Sequence, residues 1–291
     1  MAPCEQNVKV GVRLLSDPVE FAELARPYLA ADPLSTNVIG VQLDGVLAGI
    51  RPAGSADLWI VVTEPSNVIG VGMHTPPHSV FLPRLRPGCA SEIAVALQAA
   101  TRDISGVNGE RTTVVEFIES WSSLTNATAT LLRSMRMYRL DQLRPPAGVD
   151  GKARRATESD QDLVSEWFVA FEAETAQEED FDPGLAARRR LASGDLWFWV
   201  DQGQPVALAG RSRPAAGVAR VGPVYTPPVS RGRGYGSAVT AAAAQCAMSD
   251  GAEQVVLYTD LSNPTSNAIY QQIGFVEDHD AQNWALAVKP T

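Results

Sequence analysis

The stretch that most constrains this chain runs from Val218 to Ser249: a β-rich segment, VARVGPVYT, then PPVSRGRGYGS, then AVTAAAAQCAMS. Gly232, Gly234 and Gly236 fall at alternate positions in its middle, with Arg231 and Arg233 beside them. Glycine loses more conformational freedom on folding than any other residue, so such a cluster marks a backbone that bends sharply or lets something come close. The alanines that follow are strong helix formers. A strand, a glycine turn and a helix start, in that order, bring together main-chain N–H groups that lack intrahelical acceptors, at the positive end of the helix dipole. No Cβ shields those groups, so the arrangement suits a phosphate-like anion. The string contains neither the G-x-G-x-x-G of a dinucleotide fold nor the G-x-x-x-x-G-K-[ST] of a P-loop, so a bare strand-to-helix turn is the alternative reading of the glycines alone.

The rest of the composition narrows the class. The 291 residues are 45% hydrophobic and 20% charged, the balance of a soluble globular protein. A net charge of -9 provides no basic excess for a phosphodiester backbone, so no nucleic-acid partner is expected. No apolar run reaches the roughly 18 residues of a membrane span, and the N-terminus lacks a charged and then apolar leader pattern. A cytoplasmic protein without membrane association is expected. Cys4, Cys89 and Cys246 are widely spaced, which points to reduced thiols rather than a disulfide framework. His74 and His78 stand four apart, but Pro76 and Pro77 forbid a helix between them, so no metal site is expected.

Arg144-Pro-Pro-Ala-Gly-Val-Asp-Gly151 is a proline- and glycine-rich break between two patterned regions. It predicts domains at residues 1–146 and 152–291, each of ordinary size. In the second, the pattern predicts a strand at Arg154–Ala156 and a helix capped at Thr157 that carries Leu163, Trp167, Val169 and Phe171. An acidic turn, Glu178 to Asp182, precedes a helix from Pro183 to Arg190. Strands follow at Leu196–Val200, Pro205–Arg211 and Val218–Thr226, then a helix from Gly234 to Ser249. A strand at Gln254–Asp260, a helix capped near Asn263 and ending at Gln272, and a last strand to Val288 complete it. The first half reads as strands at Val8–Leu14, Leu58–Thr63, Val68–Met73, Ser79–Leu82 and Thr112–Ile118, with helices at Val19–Leu29, Ser91–Ile104 and Ser123–Met135. The recurring order suggests two copies of one α/β fold.

Two motifs in the second half carry a resemblance. Pro228-Val-Ser-Arg-Gly-Arg-Gly-Tyr-Gly236 resembles the P-x-x-R-G-x-G-x-G signature of the Gcn5-related N-acetyltransferase (GNAT) superfamily. Asn263-Pro-Thr-Ser-Asn-Ala-Ile-Tyr-Gln-Gln-Ile-Gly-Phe275 resembles its second signature, N-x-x-A-x-x-x-Y-x-x-x-G-F, read from Asn263 or Asn267. One helix and one strand separate them, as in that family. The resemblance covers about residues 152–291, and the first half only in outline. It implies tandem GNAT-like domains, each a mixed, mostly antiparallel sheet flanked by helices. In the C-terminal domain the fourth and fifth strands splay apart to hold acyl-CoA. It assigns the pyrophosphate to the amides of Arg231, Gly232, Arg233, Gly234, Tyr235 and Gly236, with Ser237 next in line. The pantetheine falls to the backbone edge of Val224, Tyr225 and Thr226, with Asn263 or Asn267 on the far side.

The implied reaction is attack of an amine on the thioester of acetyl-CoA, which needs a neutral amine, a donor for the oxyanion and a proton for the leaving thiolate. The resemblance makes Tyr270 the acid and the backbone near Val224 the oxyanion donor. Many relatives carry a glutamate on the strand before the glycine loop. Here Val218–Thr226 has no carboxylate, so Glu172, with Glu174 nearby behind an aromatic helix, is the candidate base. In the first half, Pro83-Arg-Leu-Arg-Pro-Gly-Cys-Ala-Ser-Glu92 keeps one glycine, and Asn126–Tyr138 puts Leu131 and Leu132 where a tyrosine is expected. That half reads as a degenerate copy. The sequence therefore predicts an acetyl-CoA-dependent N-acetyltransferase. A non-catalytic acyl-CoA-binding or regulatory protein on the same fold is the alternative, and the amine acceptor and oligomeric state stay open.

Overall fold

The structure, a computed structural model, describes residues 10–65, 67–100, 104–175 and 182–288. Cys4 and residues 178–181 of the acidic turn lie outside the described residues. Contacts group the chain into two compact units. One comprises the described residues of Met1–Met137 with Asp260–Ser262 and His279–Thr291, and the other comprises Tyr138–Thr259 with Asn263–Asp278.

The first unit runs β1 (Gly11–Leu15), α1 (Pro18–Ala31), α2 (Asn37–Leu47), β2 (Leu58–Glu64), β3 (Asn67–His74), β4 (Val80–Leu82), α3 (Cys89–Ala100), β5 (Gly106–Glu110), α4 (Arg111–Thr125) and β6 (Ala127–Leu140) as far as Met137. Strands β1 to β5 are neighbours in that order, antiparallel except for the parallel β4/β5 pair. Residues Ala281–Ala285 of the last strand, β12 (Phe275–Val288), lie antiparallel on β5. Alternation along β2 separates two cores, as a pleated strand must. Trp59 and Val61 join Phe21, Ala25, Ile39 and Leu43 of α1 and α2, while Ile60 and Val62 join Ile93, Leu97, Val114 and Phe117 of α3 and α4.

Two expectations fail in this unit. Thr112–Ile118, read as a strand from its β-branched residues, lies in α4. The Glu110 carboxylate accepts from the Thr113 N–H at 2.9 Å and caps that helix, and Val114, Phe117 and Trp121 recur on its buried face. Ser123–Met135, read as a helix, is mostly strand β6, because Asn126 adopts a left-handed conformation (φ 56°) that ends α4. Helix α2 was not anticipated; Gly40 and Gly45 dilute its apolar pattern.

The second unit follows the sequence reading closely: β7 (Lys152–Arg155), α5 (Gln161–Thr175), α6 (Pro183–Ser193), β8 (Leu196–Asp201), β9 (Gln204–Arg211), β10 (Val218–Tyr225), α7 (Tyr235–Ser249), β11 (Gln254–Asp260) and α8 (Pro264–Gln272). Thr157 and Asp160 form a capping box ahead of α5, and Asp160 also takes both terminal nitrogens of Arg154 at 2.8 and 2.9 Å. Strands β7 to β11 are neighbours in order, antiparallel except β10/β11. Leu196, Phe198 and Leu208 face α5 and α6, while Ala207, Ala209 and Val221 face α7 and α8. The alanines of α7 let it settle close to the sheet, with Ala238, Ala241, Ala243, Ala244 and Ala247 all buried. Each unit is thus a mixed, mostly antiparallel sheet between two helix layers.

The β10/β11 pairing positions the site. It covers only Val218–Arg220 against Gln254–Val256. Past Val221 a bulge at Gly222–Pro223 shifts the register, and Val224 and Tyr225 pair with Ala209 and Leu208 of β9. The fourth and fifth strands of this unit therefore diverge toward their C-terminal ends. Those ends lead directly into the glycine loop and into α8.

Candidate functional site

Gly232 and Gly234 hold φ of 77° and 79°, and Gly234 is the N-cap of α7. A side chain on Gly232 would meet nothing within 4 Å, so conformation alone requires glycine there. At Gly234 a Cβ would also lie 2.9 Å from Val149 Cγ2. The first main-chain bond of the helix runs from the Ala238 N–H to the Gly234 carbonyl at 3.0 Å. The N–H groups of residues 232 to 237, six in all, have no acceptor among the described residues. The Arg231 N–H, which the sequence reading included in this set, is instead committed to the Pro228 carbonyl at 3.3 Å.

The two arginines tie the loop down. Arg231 donates through Nε to the Thr226 carbonyl at 2.9 Å and through one terminal nitrogen to both Glu174 oxygens at 2.6 and 2.7 Å. Arg233 reaches Asp201 Oδ2 at 3.2 Å and lies over the Tyr235 ring, 4.8 Å from its centroid. The Tyr235 hydroxyl donates to the same Asp201 oxygen. The formal charge of Arg231 and Arg233 is thus largely offset by Glu174 and Asp201, and the cradle's own potential is that of its amides. Glu174 ties the end of α5 to the loop, and Asp201 anchors the first turn of α7. Neither role had a local sequence signal, because both partners are distant along the chain.

Along β10, the edge of Val224 and Tyr225 away from β9 extends past the last β11 pair. The Tyr225 ring is core: it is buried with Trp167 at 5.9 Å and Phe171 at 6.5 Å between centroids. Burial raises its phenol pKa, Glu174 adds to the rise, and Arg231 opposes it. Glu172 is half-buried on α5, one residue past Phe171.

On α8, Asn263 is the N-cap, its Oδ1 accepting the Ser266 N–H at 3.0 Å. Asn267 accepts the Tyr138 hydroxyl at 3.0 Å and donates to the Asn263 carbonyl at 2.7 Å. Both asparagines therefore brace the start of this helix. Tyr270 is 8% exposed and shares a core with Val221, Tyr235 and Leu257. Its ring lies 6.5 Å from Tyr138 and 6.3 Å from Phe275, centroid to centroid. Burial pushes its phenol up to about 12, against a small opposing effect of the Ser266 hydroxyl, so it is protonated at neutral pH.

The first unit answers the same geometry differently. Gly88, at φ 90°, precedes α3 as Gly234 precedes α7. The Ser91 N–H and hydroxyl donate to Glu116 Oε1 at 2.9 and 3.1 Å, so the start of α3 carries a carboxylate of its own chain. Strand β4 pairs with β5 along its whole length, and a Cβ on Gly109 would lie 1.8 Å from the Leu82 carbonyl oxygen. The Leu85 N–H, just past β4, donates to Thr113 Oγ1 at 3.1 Å. The sequence reading sought the second motif at Asn126–Tyr138, which is β6; the helix in the α8 position is α4. Seven residues past its N-cap stands Phe117, where α8 has Tyr270.

Among the described residues no cluster of three or more His, Cys, Asp or Glu side chains could hold a metal ion, and no helix is long and apolar enough to cross a membrane. Residues 161–275 match the Acetyltransferase (GNAT) family. A GNAT-family acetyltransferase from Colwellia psychrerythraea superposes with a TM-score of 0.56 at 14% identity, over 96% of this chain and 100% of its own. A tandem GNAT protein from the clavulanic acid biosynthesis pathway gives 0.57 at 15%, over 97% and 100%. A Drosophila protein gives 0.69 at 14%, over 96% and 99%. At these identities the likeness is one of fold. No curated protein matches the sequence.

Proposed function

We propose that this chain, whose residues 161–275 form a GNAT acetyltransferase domain, moves an acetyl group from acetyl-CoA to an amine, and does so in its second unit alone. The family supports the coarser part of this, acyl transfer from a coenzyme A thioester. One observation carries the reading: six main-chain N–H groups without acceptors among the described residues, at the mouth of a wedge between two diverging strands. A diphosphate suits such a helix start.

The amides of Gly232 to Ser237 bind the pyrophosphate, and the free edge of Val224 to Thr226 takes the pantetheine amides as an added strand would. Asn263 and Asn267 close the far side by bracing α8. The amine lone pair attacks the thioester carbon, and the oxygen's growing charge is met by main-chain N–H near Val224. The C–S bond then breaks. Tyr270 donates to the departing sulfur, and the proton the amine sheds leaves through Glu172, directly or by water. The first unit is non-catalytic: Glu116 supplies its helix anion, β4 and β5 stay paired, and Phe117 has no hydroxyl.

A second reading, an acyl-CoA-binding protein without turnover, draws on the lack of a carboxylate on β10. Thermal unfolding with and without acetyl-CoA tests binding, and thiol release across a panel of amines tests transfer. Binding without release for any amine favours the second reading. No shift with acetyl-CoA defeats both.

A further inference from the structure

The second unit has another concavity, of about 470 Å³, at the opposite end of β10 and α7 from the glycine loop. It is lined by Arg155, Arg211 and Arg213, with the carboxylates of Asp195 and Asp250. The volume lies within the range of small-molecule sites. Arg211 is the unusual member. Its side chain is 3% exposed and paired to Asp250, yet its buried Nε has no hydrogen-bond partner. An orphaned donor on a buried guanidinium is costly.

Asp250 and Asp195 offset part of this charge, but the arginines around the cavity outnumber them. Arg190 donates to the Arg211 carbonyl at 3.1 Å from behind the cavity. Burial and the nearby Arg220 pull Arg190 down to about 10, with Asp195 opposing, so it too is charged at neutral pH. Arg155 spends its Nε on the Gly194 carbonyl at 2.7 Å, lies over the Trp197 ring at 5.8 Å from its centroid, and lines the cavity. Arg213 is exposed and makes no hydrogen bond or ion pair among the described residues. Three guanidinium forks around one concavity, with two carboxylates between them, match a tetrahedral oxyanion better than a single carboxylate, which one fork would satisfy.

We infer that this cavity binds a phosphate-class oxyanion, free or borne by a small molecule, between Arg155, Arg211 and Arg213. The site is separate from the acyl-CoA cradle. None of its residues takes part in the proposed transfer, and its test does not depend on that reading.

Calorimetry of the full chain with inorganic phosphate is the experiment, run with CoA saturating so that the glycine loop does not contribute. One phosphate per chain is expected. Arg213→Gln and Arg155→Gln, both at exposed positions, are each expected to weaken it at least tenfold while leaving CoA binding unchanged. Gly234→Glu, which disrupts the glycine loop, is expected without CoA to bind one phosphate with the affinity of the CoA-saturated wild type. A phosphorylated sugar that binds tighter than inorganic phosphate identifies a borne phosphoryl group, and equal affinity identifies the free ion. Absence of phosphate heat in both the CoA-saturated chain and the Gly234→Glu variant overturns the inference. So does unaltered phosphate affinity in both arginine variants.

Discussion

Removing one oxygen from Tyr270 tests the proposed chemistry most directly. The phenol is pushed up to about 12, whereas a thiol ordinarily titrates near 8.5. Handing the proton fully to a thiolate is then uphill by about 3.5 units, or about 5 kcal/mol at 1.36 kcal/mol per unit. On the proposed mechanism Tyr270 is therefore a poor outright acid but a permanent donor, contributing a hydrogen bond to sulfur as charge develops. Such a bond to a charged group contributes about 1.5–3 kcal/mol. Tyr270→Phe should then lower kcat about 10- to 150-fold. KM for acetyl-CoA should hold, because the amides of residues 232 to 237 are untouched. The ring contacts with Tyr138 and Phe275 survive in phenylalanine, so the fold should too. The assay is steady-state thiol release with the best acceptor from an amine panel, repeated across pH. Turnover within twofold of wild type would refute the assignment. A wild-type break near pH 8–9 that vanishes in Tyr270→Phe would refute the argument that this phenol titrates far above neutrality.

Gly234→Glu is expected to abolish the acetyl-CoA thermal shift, since a side chain there meets Val149 and a positive φ, while Gly232→Ala, strained only by its φ, should cost about 1–2 kcal/mol of stability and keep measurable binding. Glu172→Gln should reduce kcat/KM for the amine about 10²-fold if that carboxylate relays the proton; Glu174→Gln, which loosens an exposed pair with Arg231, should change stability by less than about 1 kcal/mol. Glu116→Ala leaves the Ser91 N–H and hydroxyl without their acceptor and should destabilise the first unit by about 1–3 kcal/mol in denaturant unfolding, without creating a second acetyl-CoA site. The Asp160 carboxyl is held down at about 2, chiefly by Arg154; its folded value lies below its unfolded one, so its contribution is full above about pH 5 and fades as pH falls through 4 toward 2. Discounted for the partial exposure of the pair, that contribution is about 1–2 kcal/mol, and Asp160→Asn should flatten the acid limb of stability by that amount.

The second unit was legible because its boundaries carry local chemistry. Thr157 and Asp160 cap α5, Asp182 caps α6, Gly194 ends it, and Gln202 and Gly203 turn the β8/β9 hairpin with φ of 48° and 81°. The first unit hid its elements where local and tertiary preferences oppose each other. Thr112 to Val115 read as strand by propensity, yet three buried side chains at helical spacing and one glutamate cap decide for helix. What no local pattern could disclose is pairing across long separations: Arg231 with Glu174, the guanidiniums around Arg211, and above all Ser91 with Glu116. That last pair explains why the two halves diverge. Both place a left-handed glycine before a helix, and both helix starts present N–H groups that favour a negative partner. In the first unit Glu116 provides that partner within the fold, and the paired strands beside it leave no wedge. In the second, among the described residues, no carboxylate accepts from the amides of residues 232 to 237; the nearby Glu174 and Asp201 are held by Arg231 and Arg233. On the proposed function, Arg231 and Arg233 act by holding these two carboxylates away from the cradle. Replacing either should weaken acyl-CoA binding by freeing its carboxylate, more than by removing a positive charge.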